Sequence, residues 1–106
     1  MNEIRTKEVE DLLRVFAALD DPDEIFCLLE DLFTVREIRE TSQRLGVAQL
    51  LSSGRSYAAI AEETGASATT IARVSKCLGY GAGGYAIALR ALAGDSDAQA
   101  APKASD

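Results

Sequence analysis

Between Ser67 and Lys76 the sequence combines small, hydroxyl-bearing and basic side chains at positions that would share one side of a helix. Ile71 and Val74 have the spacing of a buried helical face, so the remaining positions would face outwards. The outward positions that could contact DNA carry no acid, and they are Ser67, Ala68, Thr69, Thr70, Ala72, Arg73 and Lys76. Hydroxyl groups and cations bind phosphates and base edges, while alanine allows close approach or contacts thymine methyl groups. The pattern predicts a surface that enters the major groove of double-stranded DNA.

The distribution of charge is compatible with this prediction, although the total is not. The 106 residues carry a net charge of −6, which by itself argues against binding to a polyanion. Residues 1–40 account for net −7, whereas residues 41–90 are net +3 and contain only two acids, Glu62 and Glu63. Because local charge decides what a surface binds, the basic part of the chain is the part that would meet DNA.

The elements that would position this surface form a helix-turn-helix. We predict a helix over Tyr57–Thr64, a turn over Gly65–Ser67 and a recognition helix over Ala68–Leu78. Gly65 suits a tight turn because glycine adopts positive φ without steric cost, and Ser67 is a favourable N-cap residue. Ile60 would join Ile71 and Val74 in the core. A helical hairpin inside an unrelated bundle has the same local pattern and remains an alternative interpretation of this stretch.

The rest of the chain predicts further helices and no strands, so the expected fold class is all-α with six helices. A first helix ends near Asp20, a second starts at Asp21-Pro22, and the capping box Thr34–Glu37 starts a third that runs to Ser52. A last helix, Tyr85 to about Leu92, follows a glycine-rich hinge. The predicted organisation is one helical domain over 1–93, comprising dimerisation helices (1–53), the helix-turn-helix (54–79) and a C-terminal helix (80–93), followed by a disordered tail (94–106).

Catalytic and metal-binding residue patterns are missing from the sequence. There is no histidine, and the two cysteines, Cys27 and Cys77, stand alone. This excludes the common zinc sites and histidine-based catalytic triads, so we expect neither an enzyme nor a metal or cofactor. We interpret both thiols as buried in a reducing compartment. The N-terminus lacks a signal-peptide pattern and no run is long enough to span a membrane, which predicts a cytoplasmic protein.

The stretch Leu32–Tyr85 resembles the Trp-repressor superfamily, in particular its YerC/YecD-type branch. The resemblance rests on "GASATTIARV" followed by "CLGYGAGGY". It implies an intertwined homodimer in which each subunit presents one helix-turn-helix to a palindromic operator. The implied function is that of a sequence-specific DNA-binding transcriptional regulator of repressor type.

The same resemblance implies a ligand pocket made of Thr34, Arg44, Arg73, Val74 and Cys77. Val74 stands where the Trp repressor has a glycine that makes room for the indole, and Cys77 replaces a serine. Since a close-packed site does not accept an added branched side chain, tryptophan is not the expected co-repressor. Arg44 is alternatively an ordinary surface or ion-paired arginine.

A second function class remains open from the sequence. The acidic N-terminal half and the modest basicity of residues 41–90 also suit a dimeric helical adaptor that binds another protein. An adaptor would bind its protein partner with an affinity that does not depend on salt, and it would not bind DNA. These two results would distinguish it from the regulator.

Overall fold

The computed structural model describes the backbone of residues 3–100 and the side chains of residues 3–94. Within this range the chain forms six α-helices and no strand, which confirms the predicted fold class. The helices are α1 (Lys7–Ala18), α2 (Pro22–Leu32), α3 (Val35–Ser52), α4 (Tyr57–Thr64), α5 (Ala68–Tyr80) and α6 (Gly84–Ala100). No helix among these residues is long and apolar enough to cross a bilayer.

Side-chain caps start the helices where the sequence predicted them. The Thr34 hydroxyl accepts a hydrogen bond from the Glu37 amide at 3.1 Å, and the Glu37 carboxylate accepts one from the Thr34 amide at 2.9 Å. Asp21 caps α2 by accepting from the Asp23 amide at 3.0 Å, with Pro22 in the first turn. Each such cap contributes about 1 kcal/mol to helix stability, so these local signals define the start of α2 and α3.

The ends of three helices differ from the prediction. Helix α1 ends at Ala18 rather than near Asp20, and α5 continues past Leu78 to Tyr80. Helix α6 runs to Ala100, so residues 94–100 of the predicted disordered tail are helical, while residues 101–106 lie outside the described residues. The preceding turns of α6 are rich in alanine and leucine, and extending a formed helix costs less free energy than starting one, which explains why the polar residues 94–97 did not end it.

The structure divides into two compact units with the boundary between Arg39 and Glu40, inside α3. Val47 and Ala48, in the second half of α3, are fully buried in the core of the second unit.

The core of the second unit is the core of the helix-turn-helix. Ile60 and Ile71 are completely buried and Val74 is 1% exposed, as their spacing predicted. The buried cluster consists of Val47, Ala48, Ile60, Ala66, Ile71 and Val74. Fully burying an aliphatic side chain of this size stabilises the fold by about 1.5–3 kcal/mol, so this small cluster fixes α4 and α5 on α3.

The first unit, in contrast, has no buried side chain among residues 3–39. Phe26 is 50% exposed, Phe33 42% and Val35 64%. A cavity of about 350 Å³ within this unit, which we call the N-terminal apolar cleft, is lined by these three residues together with Glu30, Ile38 and Arg39. Exposed apolar surfaces are common at interaction sites, which makes the cleft a candidate for one.

The prediction that both cysteines are buried is wrong, since Cys27 and Cys77 are both exposed. Cys77 lies on α5 between two core positions, Val74 and Leu78, and points to a different side of the helix. The exposure of Cys77 is therefore decided by its position on the helix and not by the apolar character of its thiol.

Gly65 carries a conformational requirement that predicts a stability change. Its φ is +77°, in the left-handed region that costs other residues about 1–2 kcal/mol. We expect Gly65→Ala to lower the free energy of unfolding by about 1–2 kcal/mol, measured by urea denaturation. Gly79→Ala is the control: it lies inside α5 and an added Cβ meets no atom within 4 Å. This control should leave stability unchanged or raise it slightly; equal stability of both variants and the wild type would contradict the assigned turn.

Candidate nucleic-acid interface

The turn between α4 and α5 is held by a hydrogen bond from α3 and by hydrogen bonds within the helix-turn-helix itself. Gln43, on α3, donates through Nε2 to the Thr64 carbonyl at 3.1 Å. The Thr64 hydroxyl donates to the Ile60 carbonyl at 2.7 Å and accepts from the Ala66 amide at 3.1 Å. The Gly65 amide donates to the Ala61 carbonyl at 2.9 Å. These bonds fix the direction in which α5 leaves the turn.

Sequence reasoning had missed Gln43 and Thr64. The position of Thr64 beside Gly65 was the available signal, since a threonine at a helix end commonly bonds to nearby backbone. Gln43 gave no such signal, because its partner lies 21 residues further along the chain.

The first turn of α5 is closed by two hydroxyl groups. The Ser67 hydroxyl accepts from the Thr70 amide at 3.1 Å and lies 3.2 Å from the Thr70 hydroxyl, to which it donates. Ser67 and Thr70 therefore serve first as the cap. Ala68 and Thr69, between them, are exposed at the N-terminal end, where the helix dipole favours a phosphate or another negative group.

Six of the seven predicted DNA-contacting residues lie on α5, and the seventh, Ser67, is its N-cap residue. Ile71 and Val74 are buried on the opposite side of α5, against α3 and α4. Six of the seven residues are exposed and Thr70 is half-buried. We call this set, Ser67, Ala68, Thr69, Thr70, Ala72, Arg73 and Lys76, the outward face of α5.

No acid lies on α5, and the charge of one neighbouring acid is compensated. Glu63, near the end of α4, forms an ion pair with Arg55, with 2.8 Å between the guanidinium nitrogen and the carboxylate oxygen. The pair is about half exposed, so its contribution to stability is small. Its consequence is electrostatic: the Arg55 guanidinium compensates the charge of Glu63 next to the helix-turn-helix.

The structure brings two of the five residues expected to form a ligand pocket onto one cavity. Arg44 and Cys77 line a cavity of about 500 Å³ in the second unit, whereas Arg73 and Val74 are not among its lining residues. Val74 is part of the buried core, and Arg73 is exposed on α5. Thr34 lies in the first unit, where it caps α3.

Comparison with known proteins identifies the family. Residues 7–93 match the family described as Trp repressor protein. The chain is 42% identical over 89 residues to the uncharacterized protein YerC of Bacillus subtilis, covering 84% of this chain and 86% of that protein. This match confirms the predicted YerC-type branch.

Two solved structures share the fold. A TrpR-like protein from Eubacterium eligens superposes with a TM-score of 0.82 at 42% identity, covering 88% of this chain and 96% of that one. A candidate Trp repressor from Staphylococcus aureus superposes with a TM-score of 0.80 at 36% identity, covering 85% and 90%. With six matching helices and a family match over most of its length, the chain belongs to the Trp repressor family.

Proposed function

We propose that this protein is a sequence-specific DNA-binding transcriptional regulator, repressor-like, that acts as a homodimer and catalyses no reaction. The observation that carries the proposal is the outward face of α5, which is solvent-facing, free of acid and held on a rigid core. The membership of the Trp repressor family supports it.

Binding would follow the usual division of roles on a recognition helix. The N-terminal residues of such a helix approach base edges, so Ala68 and Thr69 would lie deepest in the major groove. Arg73 and Lys76, further along α5, would pair with phosphates or with guanine. Ser67 and Thr70 keep the first turn closed, so that the helix enters the groove as a rigid rod.

The N-terminal apolar cleft supports the homodimer. Its exposed aromatic side chains have no cover within their own unit, and a second copy of the chain would bury them. A two-fold axis then places two recognition helices about 34 Å apart, one turn of DNA, which is why the operator should be palindromic.

The proposal is tested by selecting duplexes from a random library with the full-length wild-type protein, then measuring affinity by gel shift at several salt concentrations. The upstream region of its own gene provides a second probe. We expect a palindromic selected sequence and an affinity that decreases steeply with salt. If no sequence were enriched and the protein instead bound another protein with an affinity insensitive to salt, the results would contradict the regulator and favour the helical adaptor.

The burial of Val74 predicts the response to tryptophan. Its side chain is 1% exposed and packs in the core, and the family resemblance places it where a glycine would make room for the indole. We expect saturating L-tryptophan to leave the affinity for the selected duplex unchanged in a fluorescence anisotropy titration. The same titration on the Staphylococcus aureus relative provides a comparison, and a tenfold or greater increase in affinity for this chain would contradict the expectation.

A further inference from the structure

Tyr80 is the most exposed large hydrophobic side chain in the described part of the protein, at 88%. The sequence prediction ended the recognition helix at Leu78 and so left Tyr80 in the glycine-rich hinge. In the structure, Tyr80 is the last residue of α5. It therefore belongs to the same rigid element as the outward face.

Its position along α5 continues the line of basic and hydroxyl side chains. Thr69, Arg73, Lys76 and Tyr80 follow one another at spacings of four, three and four residues, which places them along one stripe of a helix. The buried side of α5 lies elsewhere, at Ile71 and Val74. The phenol is thus presented in the same direction as the two cations.

The length of this stripe decides what Tyr80 would contact. At 1.5 Å per residue, Thr69 and Tyr80 lie about 16 Å apart along the axis of α5. The major groove is only about 12 Å wide. With Thr69 at the base edges, Tyr80 would lie at the border of the groove, where the phosphates are.

We infer that Tyr80 is a further phosphate-binding residue of the recognition helix, with its hydroxyl donating a hydrogen bond to the DNA backbone. Tyrosine hydroxyls are among the side-chain groups that make such contacts. The inference rests on the proposed function and adds a contact near the C-terminal end of α5. A phosphate contact carries no sequence information, so Tyr80 strengthens binding to selected and unselected duplexes alike.

The experiment compares Tyr80→Phe, Tyr80→Ala and the wild type, as full-length proteins, on the selected duplex and on a duplex of scrambled sequence. One hydrogen bond corresponds to roughly a three- to tenfold loss of affinity, and we expect both variants to lose this amount on both duplexes. The dependence of affinity on salt should stay unchanged, because a neutral donor releases no counterion. Tyr85→Phe is the matched control: it removes a hydroxyl from a partly buried tyrosine on α6, and its affinity should equal that of the wild type.

Three results would overturn the inference. If Tyr80→Phe bound DNA as tightly as the wild type and only Tyr80→Ala lost affinity, the aromatic ring would contribute by packing and the hydroxyl would not bind a phosphate. A loss restricted to the selected duplex would indicate a base contact, and a changed oligomer mass in light scattering would assign Tyr80 to a protein interface. A failure of the proposed DNA-binding function can be distinguished from a failure of the Tyr80 contact alone, because in the first case the wild type itself would bind neither duplex. The Tyr80 inference would then fail as well.

Discussion

Replacing both Arg73 and Lys76 with alanine is expected to weaken DNA binding by roughly ten- to a hundredfold at moderate salt. Each cation that pairs with a phosphate releases counterions, so the slope of log affinity against log salt should decrease by about 0.9 for each cation removed. Fluorescence anisotropy titrations on the selected duplex, repeated at several salt concentrations, measure both quantities. Because the double variant removes two phosphate-binding cations from each subunit of the proposed dimer, this is one of the two largest effects that we expect.

The double variant should remain folded, which makes its loss of affinity interpretable. Both side chains are exposed on α5, and alanine favours a helix more than either residue it replaces. Far-ultraviolet circular dichroism and the urea midpoint check this point.

A matched control removes the same charge elsewhere. Lys7→Ala/Arg14→Ala changes the net charge equally but acts on α1, where the two side chains are 84% and 82% exposed and lie near Asp11. The control should bind DNA nearly as the wild type does. Equal losses of DNA affinity in both double variants would mean that the total charge of the protein determines binding and that the outward face of α5 does not contact DNA specifically. Full affinity of Arg73→Ala/Lys76→Ala would remove that face from the interface.

The elements of the helix-turn-helix could be predicted because their signals are local. Gly65 marks a positive φ, Ser67 caps α5, and the spacing of Ile60, Ile71 and Val74 indicates the side that packs. Each of these features depends only on residues within the helix-turn-helix itself, and each favours the same structure. The structure of a segment can be predicted from its sequence when local propensity and hydrophobic pattern favour the same conformation.

The features that could not be predicted depend on distant residues or on small energy differences. The bond from Gln43 to Thr64 and the burial of Val47 in the helix-turn-helix core join segments far apart in the chain. The end of α5 at Tyr80 rather than Leu78 depends on helix propensities that differ by less than about 1 kcal/mol per residue.

The N-terminal apolar cleft gives the second large expected effect, which concerns assembly. Phe26→Asp should raise the dissociation constant of the proposed homodimer by at least about a hundredfold, because each subunit would place a carboxylate among the apolar side chains of the cleft and the dimer would carry two. Multi-angle light scattering over a range of concentrations measures the mass directly. Phe26 is half-exposed within its own chain, so the substitution should not unfold the monomer's second unit, whose core contains no residue of α2.

Loss of the dimer should also reduce DNA binding, although Phe26 is not on the outward face of α5. A single recognition helix contacts one half-site, so a monomeric variant would lose the preference for a palindrome while keeping weak, salt-dependent binding. Phe26→Leu is the matched control, because it keeps the cleft apolar and should preserve both the dimer mass and the palindrome preference. If Phe26→Asp retained the mass and DNA affinity of the wild type, the cleft would not be the dimer interface. If the wild type were itself monomeric yet bound a palindrome tightly, two recognition helices would have to assemble on the DNA, and the apolar cleft would need a different occupant.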